Sequence, residues 1–166
     1  MTAGGPPRAG GLGGASGTIV SINIGRKKGQ AKTPVPEAQI IAGEGIREDA
    51  HRGFGHRQVS LLMSESIEEQ KARLGGGSET GIGPGAYAEN LTTRGIDLKD
   101  LEVGDELLVR AKDGNVRLRV SQIGKECHTK CAIYKIAGDC IMPGLGVFCE
   151  VVEGGTVRAG DRIEKR

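Results

Sequence analysis

Val59-Ser60-Leu61-Leu62-Met63 runs directly into Ser64-Glu65-Ser66-Ile67-Glu68-Glu69-Gln70-Lys71-Ala72-Arg73-Leu74, and Gly75-Gly76-Gly77 follows. The first five residues are a compact apolar run of strand length, which predicts a buried strand. The next stretch predicts a helix over residues 64–74. Ser66 is its candidate cap, Glu69 three residues on completes a capping box, and the glycines stop it. Ile67 and Leu74 are its clearest apolar positions, one two-turn repeat apart. The rest of that helix is polar, so it must lie on the outside of a sheet. No other stretch reads convincingly as a helix, and the architecture has to come from strands.

Working outward from this unit, the pattern is short strands separated by glycine turns. Ile19, Val20, Ile22 and Ile24 predict an opening strand, and Gly25-Arg26-Lys27-Lys28-Gly29 follows as a basic, solvated turn. Residues 38–46 are a second candidate, after Pro34 and Pro36. Val116, Leu118 and Val120 alternate with Arg117, Arg119 and Ser121, the period of a strand with one buried and one wet face. Residues 147–152 and 162–165 add two more. Gly104-Asp105 and Gly160-Asp161 each precede a short apolar strand, and turn chemistry explains both pairs better than catalysis does. Many short strands, one main helix and short helical turns predict an α+β, strand-rich barrel.

The totals narrow the function. A chain of 166 residues is one domain by size, and residues 1–16, rich in glycine and proline, are expected to be a disordered tail ahead of a domain over 17–166. A net charge of +2 and only four aromatic residues (Phe54, Tyr87, Tyr134, Phe148) argue against a nucleic-acid partner. No apolar run approaches the roughly 20 residues of a membrane span, and residues 1–16 lack the apolar core of a secretory signal. The expectation is a cytoplasmic protein with reduced thiols.

All four cysteines, Cys127, Cys131, Cys140 and Cys149, fall in the last quarter of the chain, so an extended disulfide framework is not expected. Gly124-Lys125-Glu126-Cys127-His128-Thr129-Lys130-Cys131 surrounds two thiols with Lys125, His128 and Lys130. Neighbouring cations favour the thiolate, which is both the nucleophile and the metal ligand. The i, i+4 spacing of Cys127 and Cys131 puts both side chains on one side of a helix or strand, but fixes nothing in a loop. Structural zinc prefers two cysteine knuckles, and only one pair here has the spacing. Cys149, between Phe148 and Glu150 in a predicted strand, is expected to be a buried apolar residue, and Cys140 is intermediate. Glu89 has no second carboxylate at a telling spacing for acid–base work.

Several blocks then appear in order along the chain. They are Gly45-Ile46-Arg47-Glu48-Asp49-Ala50-His51-Arg52-Gly53, His56-Arg57-Gln58-Val59-Ser60-Leu61-Leu62, and Gly85-Ala86-Tyr87-Ala88-Glu89-Asn90-Leu91-Thr92-Thr93 with Gly95-Ile96. Leu101 to Leu107 and Gly124-Lys125-Glu126-Cys127 complete the series. Together they resemble the MOSC domain, named from the C-terminal region of molybdenum cofactor sulfurases, in its short stand-alone form. The chain departs from full sulfurases in lacking an aminotransferase-like desulfurase domain.

The resemblance implies a MOSC-type β-barrel that binds molybdopterin, the molybdenum cofactor, and handles sulfur. Cys127 or Cys131 would carry a persulfide or ligate molybdenum, with Lys125, His128 and Lys130 beside them. Arg47, His51, His56 and Arg57, in a glycine-rich basic segment, would anchor the cofactor's phosphate, since arginine holds phosphate bidentately. Asn90 would bond the pterin edge or hold the barrel backbone together. Expected partners are cofactor-synthesising or recipient enzymes and a cysteine desulfurase as sulfur donor. The alternatives are a molybdenum-dependent oxidoreductase component that reduces N-hydroxylated compounds with separate electron donors, and a non-catalytic cofactor carrier.

Overall fold

The computed structural model describes residues 14–53, 55–75, 81–124 and 141–166. Five segments open the chain: β1 (Ser16–Ile24), β2 (Thr33–Val35), β3 (Glu37–Ile41), β4 (Gly45–Ile46) and β5 (Val59–Met63). Helix α1 (Ser64–Arg73) and β6 (Leu91–Arg94) follow, then a 3-10 turn at Leu98–Asp100. The remainder is β7 (Glu106–Ala111), β8 (Gly114–Ile123), the short helix α2 (Met142–Leu145), β9 (Val147–Glu153), β10 (Gly155–Arg158) and β11 (Arg162–Lys165).

The strands close on themselves in the order β1–β6–β5–β9–β8–β7–β11, and β11 pairs back onto β1. Closure removes the exposed sheet edges that an open sheet would have to protect. β2 extends the ring from the far end of β1. Of the ring's pairings only β5 with β6 is parallel. That pair therefore needs a crossover, which α1 and the loop before β6 supply. β10, β3 and β4 form a small antiparallel sheet whose Ala38, Ile40, Ile46 and Val157 join the barrel's core.

Alternation along the strands sorts side chains into two apolar clusters. Val59, Leu61, Val147, Cys149, Val151, Val116, Leu118 and Val120 face the barrel interior. Leu62 and Phe148 point outward, against Ile67 of α1, Met142 of α2 and Ile82, Tyr87 and Ala88 of the loop before β6. β5 is thus covered on both sides, which explains why all five of its residues are buried and four of them are apolar. In β8 the wet face carries Arg117 and Arg119, which pair with Glu106 across the strand, and Arg117 also reaches Glu153.

Several boundaries differ from the sequence expectation. β1 contains a bulge between Ile19 and Ser21, so Ile19 and Ile22 both face inward while Val20 points to solvent. Gly14, ahead of β1, bridges Ile96. The helix forms where expected, but its cap is Met63 and no side chain bonds the first turn, so the Ser66–Glu69 capping box is not made. The chain passes from the last residue of β5 straight into α1, leaving no position for Ser66 outside the helix. Ile67 is buried, whereas Leu74 is 43% exposed beyond the helix end.

The two Gly-Asp turns are alike in detail. Gly104 and Gly160 both have φ of 98°, a left-handed conformation that glycine tolerates. Asp105 accepts the Glu102 N–H and Asp161 the Arg158 N–H, each at 2.8 Å. The carboxylates therefore bond backbone three residues behind them and serve as turn residues. Among the described residues no helix is long and apolar enough to cross a membrane.

Candidate functional site

The loop between β4 and β5 carries Arg47, Asp49, His51, His56 and Arg57, and three different surfaces hold it. Asp49 and His51 are gripped by the loop joining β1 to β2. Lys32 is buried, and its Nζ donates to both Asp49 carboxylate oxygens at 2.8 Å and to His51 Nδ1 at 2.9 Å. The backbone N–H groups of Gly25 (3.1 Å) and His51 (3.0 Å) donate to the same carboxylate. Ala50 N–H donates to the Gly25 carbonyl at 2.7 Å, which locks the two loops together. Burial alone would raise the Asp49 pKa. The charge and hydrogen bonds of Lys32 and the Gly25 N–H outweigh it and hold the carboxyl well below the usual carboxylate range.

His56 and Arg57 are fixed on the outer face of β8 and β9. His56 Nε2 pairs with Gln122 Oε1 at 2.8 Å, and Gln122 Nε2 donates onward to the Gly124 carbonyl at 2.7 Å. Ser121 Oγ donates to the His56 carbonyl. The Arg57 guanidinium lies over the Phe148 ring, 5.9 Å from its centroid, within cation–π range. Arg47 stands apart on the small sheet, where its guanidinium donates to Gln39 at 3.1 Å in an exposed position.

This places His56 at the root of the cysteine segment. Gly124, the last described residue before it, donates its N–H to the Gly146 carbonyl at 2.7 Å, and α2 brings the chain back to β9. The two ends of that segment are therefore pinned together beside His56 and Arg57. Lys125, Cys127, His128, Lys130, Cys131 and Cys140 lie outside the described residues. Gly124 has φ of 66°, and a Cβ there would collide with the Pro143 carbonyl oxygen. Gly124→Ala is expected to cost at least about 1 kcal/mol in denaturant unfolding, because both the backbone conformation and the close approach are lost.

Cys149 is fully buried in β9, and burial pushes its thiol far up, so it is a packing residue and a poor nucleophile. Asn90 is fully buried. Its Oδ1 accepts the Ser60 N–H at 3.0 Å and its Nδ2 donates to the Asn23 carbonyl at 3.2 Å. Of the two roles expected for Asn90, this geometry is the one that ties the barrel backbone together. Glu89 is also fully buried; burial pushes its carboxyl up, against donors from Gly85 N–H, Tyr87 N–H and Thr92 Oγ1. Its acceptor oxygens are used in shaping the loop before β6.

Two residues of the site escaped the sequence reading. Lys32 is a single lysine before Thr33-Pro34, and its partner lies 17 positions away, so no local pattern marks it. Gln122 looks like any wet-face residue of β8. Among the described residues no three His, Cys, Asp or Glu side chains gather as metal ligands.

A closed strand barrel with the β4–β5 loop pinned to it by hydrogen bonds defines a small barrel domain. Residues 48–164 match the MOSC domain, and the chain belongs to that family, which is associated with molybdenum cofactor binding. Among solved structures it is similar to the YuaD protein of Bacillus subtilis (TM-score 0.71, 18% identity, 90% of this chain and 95% of that one). It is also similar to YiiM of Escherichia coli (0.64, 19% identity, 90% and 69%) and YiiM of Geobacillus stearothermophilus (0.65, 21%, 90% and 75%). At these identities the likeness establishes the fold alone. No curated protein matches the sequence significantly.

Proposed function

We propose that the protein binds a molybdopterin-type cofactor as cargo and passes sulfur through Cys127 or Cys131. One observation carries the reading. Gly124, which precedes the segment with both thiols, is hydrogen-bonded to Gly146 and to Gln122, the partner of His56, so a basic side chain stands at the root of that segment. The donor set suits an anionic ligand: His51, His56 and Arg57 stand on the loop, and the nearby buried carboxylate of Asp49 is already neutralised by Lys32. The cargo would supply a metal centre that takes a terminal sulfur. Arg57 and His56 would hold its phosphate, with Arg47 as an outer contact on the small sheet.

The chemistry assigned to this chain is thiol exchange. A Cys127 or Cys131 thiolate attacks the sulfane sulfur of a donor persulfide. A new S–S bond forms on the protein, the donor's S–S bond breaks, and the donor leaves as a thiolate with no net oxidation. Attack by the second cysteine would release the sulfur as sulfide and leave a disulfide, which an external dithiol must reduce. Lys125, His128 and Lys130 supply positive charge in sequence beside these thiols.

The test is mass spectrometry of the native protein after incubation with a small-molecule persulfide. The expected result is one added sulfur atom, removable by reductant, on a peptide containing Cys127 or Cys131, and lost in the matching Cys→Ser variant. Sulfur on neither peptide overturns the carrier reading. Stoichiometric molybdenum with reduction of an N-hydroxylated substrate would replace it with the oxidoreductase.

A further inference from the structure

We propose that Lys32 is a positioning residue that fixes His51 in its Nε2–H tautomer, so that the ring proton sits on Nε2 and Nδ1 is held as an acceptor. A lysine ammonium has three N–H donors and no acceptor. Here its Nζ lies 2.8 Å from both Asp49 carboxylate oxygens and 2.9 Å from His51 Nδ1, and it can only donate in each contact. Nδ1 can take part only through its lone pair, so the ring proton belongs on Nε2. The rival arrangement, Nδ1–H donating to Asp49, fails on distance: Nδ1 lies 3.7 Å from Oδ2, beyond hydrogen-bond range. It would also set two donors against each other, Nδ1–H and the ammonium.

The rest of the cluster holds the ring in this register. The His51 backbone N–H donates to Asp49 Oδ2 at 3.0 Å, so the same carboxylate that orients the ammonium also orients the residue bearing the imidazole. Lys32 is buried at 0% side-chain exposure and Asp49 likewise, whereas the His51 side chain is 21% exposed. A charge pair wholly inside the fold thus sets the hydrogen-bonding sense of a ring that reaches the surface. Nδ1 is thereby removed as a general base and as a metal ligand, and Nε2 is left as the ring's donor. That this donor serves an anion rests on the function proposed above; the tautomer does not.

The experiment uses the full chain labelled with 15N-histidine, read by long-range proton–nitrogen spectra at neutral pH. There are three histidines in the sequence, so His56→Gln and His128→Gln variants assign the His51 signals. The expected wild-type pattern is an unprotonated Nδ1 and a protonated Nε2. Lys32→Met combined with Asp49→Asn should move both shifts to values averaged between tautomers. A wild-type ring protonated on Nδ1 overturns the proposal, whether or not the double variant folds. A folded double variant with unchanged shifts overturns it too. Titration with inorganic phosphate separates the two readings. An Nε2–H ring whose shifts move supports both. An Nε2–H ring that ignores phosphate upholds the proposal and removes His51 from the anchoring loop.

Discussion

Asp49→Ala is expected to destabilise the protein by about 3–5 kcal/mol at neutral pH, the range for breaking a buried ion pair on one side only. The substitution leaves the Lys32 ammonium buried without its carboxylate, and the Gly25 and His51 backbone N–H groups lose theirs. Denaturant midpoints of wild type and variant measure the loss. Removing both charges, with Lys32→Met added, should recover part of it, because the stranded cation disappears while the two backbone donors stay unmet.

The pH dependence follows from the same contacts. The folded Asp49 carboxyl lies below its unfolded value of about 3.9. Its stabilising contribution is therefore complete above that pH and is lost as the pH falls through the folded value. The gap between wild type and Asp49→Ala should shrink on acidification from pH 5 to pH 2. A gap of constant size across that range would show that the fold does not lower the Asp49 pKa, and a gap that grows on acidification would show that it raises it.

The sequence was informative where local composition and tertiary role coincide. β5 and α1 fall almost on the expected residues, because a strand covered on both faces is mostly apolar and an outer helix mostly polar. β8 was legible for the complementary reason, since its arginines and valines face different media. The small sheet was harder: residues 38–46 read as one strand, and the chain instead turns at 42–44 to give β3 and β4. Bulges hid the inward face of β1, because one extra residue at Val20 shifts the period. At the site, the basic character of residues 47–57 was visible, but its support was not. Lys32 with Asp49 and Gln122 with His56 are pairs made by the fold, between residues 17 and 66 positions apart. The family blocks contained Asp49 without giving it a role, and offered His51 only as a phosphate anchor.

Asn90→Asp is the second large effect, and its pH dependence should run the opposite way. The Asn90 side chain joins β5 to β1 immediately before β6. Its oxygen takes the Ser60 N–H and hydroxyl at 3.0 and 3.3 Å, and its nitrogen donates to the Asn23 carbonyl at 3.2 Å. The backbone reinforces the same bolt, with Asn23 N–H on the Asn90 carbonyl at 2.7 Å and Asn90 N–H on the Ser60 carbonyl at 3.0 Å. Asparagine alone among residues of this size offers an acceptor on one side and a donor on the other. An introduced carboxylate would face the Asn23 carbonyl with an oxygen, burying a charge against an acceptor. A loss of about 2–4 kcal/mol is expected at neutral pH, from one repelled acceptor and one desolvated charge. Protonation restores a donor, so the introduced group's folded pKa is raised. The variant's deficit should be smallest below about pH 4, the unfolded value, and grow as the pH rises through the folded one. Asn90→Ala should show a loss of similar size with no such slope. Equal pH profiles for the aspartate and alanine variants would mean that the introduced carboxyl feels neither burial nor the Asn23 carbonyl, and would overturn this account of the Asn90 nitrogen.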